Sequence, residues 1–146
     1  MRRHFFAAAF ACLLVGPTLF FVFDRTPAMA VLKAQAVPPP PRVEETLRIS
    51  YKVFRFRICE TTIMPMVIDA AGVRHEYEPQ TRAAWGDEGE DEFTVERHIP
   101  KSATPGPARY RLTLAWRCPL NPVHMIWPIV HTYDDVPFVI AGEDAQ

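Results

Sequence analysis

Tyr110-Arg111-Leu112-Thr113-Leu114-Ala115-Trp116-Arg117-Cys118 is the stretch on which the reading of this chain turns. Successive side chains of an extended strand point to opposite faces, so Tyr110, Leu112, Leu114, Trp116 and Cys118 fall on one side. Arg109, Arg111, Thr113, Ala115 and Arg117 fall on the other. Alternation this strict predicts a half-buried β-strand with a dry face and a wet one. Residues 101–107, carrying Pro105, Gly106 and Pro107, form the turn that leads into it.

The same period recurs upstream. Residues 93–99 alternate with Phe93, Val95 and Ile99 turned inward. Residues 63–69 and 73–77 flank Asp69-Ala70-Ala71-Gly72, a hairpin signal because glycine supplies the positive φ such loops need. From Leu47, the residues Leu47, Ile49, Tyr51 and Val53 share a face; the phase then passes to Phe54, Phe56 and Ile58, which predicts a bulge or a strand that changes sheets near Val53-Phe54. Residues 78–92 read as a long loop. Its acidic end, Asp87-Glu88-Gly89-Glu90-Asp91-Glu92, lacks the spacing of an EF-hand loop and reads as solvated, with a weak calcium site as the alternative. Downstream, residues 119–133 form a proline-punctuated apolar connection before a strand at 136–140. Six or seven such strands predict an all-β fold, an antiparallel immunoglobulin-like β-sandwich over residues 47–142, with a small barrel as the alternative. The 15 prolines among 146 residues, about twice the usual share, oppose long helices in this half.

The N-terminus is of a different kind. Residues 5–23 carry no charge, and as a helix they would rise about 28 Å, close to the hydrocarbon thickness of a bilayer. Residues 1–4, with Arg2 and Arg3, favour a cytoplasmic N-terminus and an exported remainder. The expectation is a single-pass signal anchor whose partner is membrane lipid, placing the C-terminal domain in the periplasm or outside the cell. A cleaved signal peptide ending at Ala28-Met29-Ala30 is the alternative, although the chain stays apolar from Thr18 to Phe23. Residues 24–46, with prolines at 38 to 41, predict a stiff linker that lifts the domain off the lipid. Residues 143–146 are a polar tail.

Cys59 and Cys118 lie 59 positions apart, each at the end of a strand, a placement like the inter-sheet disulfide of immunoglobulin-type sandwiches. Cys12 lies inside the apolar span. Export permits the bond, and two buried, unpaired thiols are the alternative. Trp85 stands 26 residues after Cys59, and Trp116 two before Cys118, neither of which matches the antibody arrangement. Residues 99–140, with Pro105-Gly106 before a strand, Tyr110 opening it, and Cys118 followed by Asn121-Pro122, resemble small membrane-anchored β-sandwich proteins of tailed phages and proteobacteria, largely uncharacterised. That resemblance implies the architecture only.

Neither charge nor motif points to a catalyst. The formal net charge of −1, and the 14 basic against 17 acidic residues that follow Arg3, argue against nucleic acid. There is no nucleophile elbow, phosphate loop or dinucleotide fingerprint in the sequence. His124, His131 and Asp134 are the one candidate for a metal-dependent hydrolase, but they lack the paired spacing of a metal site, so no catalytic residue, metal, cofactor or small-molecule substrate is assigned. Arg55, Arg57, Arg109, Arg111 and Arg117 read as a cross-strand ladder with acidic residues, or as a surface for anionic headgroups. Met125, Ile126, Trp127, Ile129, Val130 and Tyr133 concentrate apolar surface between prolines, either closing the core or forming a contact surface for an unknown protein partner. The functional expectation is non-catalytic binding or structural contact in the cell envelope. A phage-encoded lysis or assembly accessory role is the alternative.

Overall fold

The computed structural model describes residues 15, 16, 18–84 and 86–142. Nine strands and one short helix follow the helical residues that end at Phe23. They are β1 (Met29–Ala36), β2 (Thr46–Arg55), β3 (Glu60–Ile68), β4 (Arg74–Glu76), β5 (Gln80–Arg82), β6 (Gly89–His98), β7 (Gly106–Arg117), α1 (Pro122–Ile126), β8 (Ile129–Thr132) and β9 (Val136–Ile140). One sheet has the order β1-β2-β6 and the other β4-β3-β7-β8, with β5 also on β3 and β9 also on β7; every pairing between these strands is antiparallel.

The period-two pattern decides what lies between the sheets. Leu47, Ile49, Tyr51 and Val53 of β2 are buried, and so are Tyr110, Leu112, Leu114 and Trp116 of β7 and Val136, Phe138 and Ile140 of β9. These side chains form one continuous core, and the expected antiparallel β-sandwich is the fold observed. β7 holds the larger sheet together: β3 runs along one edge, while β9 and β8 share the other, at Gly106↔Ile140 to Tyr110↔Val136 and Thr113↔Thr132 to Trp116↔Ile129. Pro65 has no ladder N–H to give, and it falls in the gap between the β5 register at Ile63 and the β4 register at Met66.

Four expectations are corrected. Residues 24–46 are not a linker, because β1 pairs with β2 from Met29↔Arg55 to Ala36↔Ile49, and the prolines make the connection between these two strands. Beyond them, Ala141 N–H donates to the Pro41 carbonyl at 2.9 Å, so the proline run is tied into the domain. The register of β2 on β6 is continuous from Thr46 to Arg55, and the irregularity lies in β1 between Val31 and Lys33. Phe54 and Phe56 mark no change of sheet; both are exposed, with ring centroids 5.2 Å apart. The acidic stretch is not all loop, since Glu90 and Asp91 belong to β6 and meet Lys52 and Arg55 of β2 at 2.8 and 2.5 Å.

The disulfide forms between the expected cysteines but lies within one sheet. Cys59 and Cys118 are bonded with Cα atoms 4.4 Å apart, and the Glu60↔Arg117 pair beside them places the bond between adjacent strand ends of one sheet rather than between the two sheets. Closing a loop of about 60 residues stabilises a domain by roughly 4 kcal/mol in the chain-entropy account. The span at residues 5–23 falls mostly outside the described residues. Among those described, no helix is long and apolar enough to cross a membrane.

At the opposite end of β3 the expected hairpin is present, fastened by an unexpected residue. Asp69 is buried; its Oδ1 accepts from the N–H groups of Ala71 and Val73, and its Oδ2 from Thr104 N–H at 2.9 Å and the His75 ring at 3.1 Å. Gly72 turns the chain at φ 79°, and Gly106 (φ 125°) lies where an added Cβ would come 2.9 Å from the Ala70 Cβ. Burial works to raise the Asp69 carboxyl, but the hydrogen bonds from Thr104, His75 and Val73 outweigh it and hold the group down to about 2.

A folded-state value below the unfolded one means that this contribution is complete above the unfolded value of 3.8 and disappears as pH falls through about 2. Urea unfolding of the wild type and Asp69→Asn should therefore differ by roughly 2 kcal/mol at neutral pH and converge between pH 4 and pH 2. A difference independent of pH over that window would contradict the assignment.

Candidate functional site

Residues 119–133, expected as an apolar connection, are built in two parts. Asn121 caps α1, its Oδ1 accepting from Val123 N–H at 3.0 Å, and Pro122 occupies a first-turn position where its missing N–H costs nothing. One turn later α1 ends and β8 begins on the edge of β7. The apolar residues divide accordingly. Ile129 is 2 % exposed and Tyr133 packs against the core, whereas Met125, Ile126 and Trp127 are 59 %, 90 % and 60 % exposed. Of the six residues expected at the core or at a partner surface, Ile129 and Tyr133 are removed from the surface by packing, because the β8 register turns Ile129 inward against Trp116 and the Tyr133 ring meets the Trp116 ring edge-on. The Tyr133 hydroxyl donates to the Met29 carbonyl, and burial pushes that phenol up.

Beside α1 ends the helical segment that precedes the domain. The last turn of any helix leaves carbonyls without intrahelical donors. Here Asn121 Nδ2 donates to the Phe21 carbonyl at 2.8 Å and His124 Nε2 donates to the Asp24 carbonyl at 2.8 Å. Two buried polar side chains of α1 and its cap thus hold the end of a helix about 100 residues earlier in the chain. The same Nε2 lies 3.0 Å from Asn121 Nδ2, and His124 Nδ1 has no partner among the described residues. Arg57, just past β2, closes the junction, pairing with the Asp24 carboxylate at 2.6 Å and donating to the Thr26 carbonyl. Burial raises the Asp24 carboxyl, and Arg57 overcomes this to leave it below the ordinary value. Arg25 lies across the Trp127 indole, 3.4 Å from the ring centroid, and donates to the Trp127 carbonyl at 2.8 Å.

The structure does not bring the three hydrolase candidates together as a site. His124 is buried at the junction, His131 is exposed on β8 with its ring against Tyr133, and Asp134 is exposed beyond that strand. Among the described residues no group of three or more histidines, cysteines or carboxylates could hold a metal. The arginines are taken up in pairs: Arg111 grips Asp135 at 2.7 and 2.8 Å, holding that carboxyl low, while Arg109 lies 3.7 Å from it and Arg117 3.1 Å from Glu60. Sequence reasoning missed Asn121 and His124 as cap residues. Asn-Pro before a short apolar run was the available signal for the start of α1, but nothing local marks a carbonyl so distant as the acceptor.

A second feature is a cleft of about 410 Å³ between the sheets, with Phe93, Tyr110, Leu112 and Trp116 among its lining residues and Arg55 and Arg97 contributing charge. The Tyr110 hydroxyl is buried there beside the Arg97 guanidinium. Trp85 lies outside the described residues.

The division of the 119–133 segment makes opposite forecasts for two of its large apolar side chains. Trp127→Ala removes a half-exposed indole and its contact with Arg25 and should cost about 1 kcal/mol. Ile129→Ala empties a core position and should cost about 2 to 5 kcal/mol. Thermal unfolding with the larger loss at Trp127 would overturn the division.

No family model matches the chain, and no curated protein does either. Solved structures are similar in fold. The C-terminal domain of wzt matches with a TM-score of 0.53 at 9 % identity, over 81 % of this chain and 76 % of that one. The ASH / PapD-like domain of human CEP192 (PapD-like domain 7) matches with a TM-score of 0.43 at 11 % identity, over 84 % and 90 % of the two chains. The likeness to the wzt domain carries the β-sandwich itself and nothing finer.

Proposed function

We propose that this chain is a membrane-tethered, extracytoplasmic β-sandwich that acts by non-catalytic contact in a bacterial or phage-associated envelope. The observation that carries the reading is the junction: the helical segment ending at Phe23 is capped by Asn121 and His124, so the apolar run at residues 5–23 would enter the domain through a fastened joint. Five residues, 24–28, separate that helix from β1, and Ala28 is already buried. A non-catalytic role is supported by the uses to which the reactive residue types are put. His124 holds a backbone carbonyl, Cys59 and Cys118 hold each other, and Asp69 holds a hairpin. For contact, the domain offers Met125, Ile126 and Trp127 at the same end as the joint.

The tether is tested on the chain expressed from its own start codon. Intact mass should show residues 5–23 retained, and the protein should remain in the membrane pellet after alkaline carbonate extraction. A mature chain starting near Val31 and recovered in the soluble fraction would contradict the proposal.

A further inference from the structure

The exposed residues of 119–128 have an occupant that the joint itself identifies. Leu120 and Ile126 are each 90 % exposed, and Met125 and Trp127 lie beside them, apolar surface that a domain does not leave in water without cause. The whole stretch 119–133 contains no aspartate, glutamate, lysine or arginine. It is fastened to the helix end by Asn121 and His124, and that helix end carries Leu19, Phe20 and Phe23, which are also exposed. Two apolar surfaces, one from the N-terminal segment and one from α1 and its flanks, therefore meet at one end of the molecule. Within the joint Asp24 is neutralised by Arg57, and the Arg25 guanidinium carbon lies over the Trp127 ring, 3.4 Å from its centroid. A tryptophan with an arginine beside it, next to the end of a run long enough to span hydrocarbon, is the chemistry of the headgroup layer, where an amphipathic ring has one apolar and one wet environment.

We propose that Leu120, Met125, Ile126 and Trp127 form a seat that lies in the interfacial layer of the bilayer, with Leu120 and Ile126 entering the acyl boundary and Trp127 with Arg25 at headgroup depth. The inference rests on the tether proposed above and names the partner of the exposed segment as lipid. The sandwich then stands directly on the membrane, with the hairpin at Asp69 as its distal tip, since the nine residues of β3 at about 3.3 Å each carry the chain away from the joint.

Spin labels report the depth of each position in the full chain. Ile126→Cys, Phe20→Cys and Ala71→Cys are each made in a Cys12→Ser background, which leaves the Cys59–Cys118 bond intact, and reconstituted in nanodiscs of phosphatidylcholine and phosphatidylglycerol. At both Phe20 and Ile126, collision with oxygen should exceed collision with a water-soluble nickel chelate by several-fold, and at Ala71 the order should reverse. If Phe20 reads as lipid and Ile126 reads as water, the tether stands and the seat is wrong. If Ile126 is shielded from both reagents, a protein surface covers it and the lipid assignment is likewise wrong. Phe20 and Ile126 both reading as water would remove the tether and the seat together.

Discussion

The fold depends on the alternation of one strand. β7 gives Tyr110, Leu112, Leu114 and Trp116 to the core and keeps Arg109, Arg111 and Arg117 on the other face, so a shift of a single residue would exchange the two sets. Its two edges carry β3 on one side and β8 with β9 on the other, and no other strand of the larger sheet has neighbours along both edges over so great a length. The smaller sheet completes the burial from above with Leu47, Ile49, Tyr51 and Val53. Fixing β7 also fixes the segment downstream of it. One residue past its end, Cys118 is bonded to Cys59, and three residues later Asn121 starts α1.

That placement is what lets a short connection act as a joint. The carbonyls of Phe21 and Asp24 need donors, and a side chain can supply them only if its own backbone is held still. Asn121 meets the condition through the disulfide-bound strand end before it and the cap it makes on α1; His124 meets it by being fully buried. The exposed neighbours Leu120, Met125 and Ile126 then take their position from the same framework. Stability and surface chemistry are thus set by neighbouring residues of one segment.

Much of the sandwich was legible because period two survives in any strand with one dry face. β2, β6, β7 and β9 announce themselves in this way, and Asp69 to Gly72 announces the hairpin. β1 was hidden by its company: Met29 to Ala36 has a register irregularity that interrupts its alternation, and the proline run after it reads as a stalk when no partner strand is in view. Glu90 and Asp91 look like a solvated loop until Lys52 and Arg55 are placed across from them. The pairing of Cys59 with Cys118 was legible from position, but its place within one sheet depends on the strand order, which spacing does not contain. Trp127 and Ile129 are two residues apart and both large and apolar; only the turn from α1 into β8 sends one to the surface and the other to the core.

The central claim is that no stalk separates helix from sandwich. A pulsed electron-spin distance measurement between labels at Leu19→Cys and Ala71→Cys, in the Cys12→Ser full chain, addresses it directly, since both sites are exposed and lie on either side of the joint. With the Phe21 and Asp24 carbonyls held by Asn121 and His124, the distance distribution should be a single narrow peak, broadening in the Asn121→Ala, His124→Ala double variant. A wild-type distribution already as broad as that of the double variant, as a free linker would give, would contradict the claim.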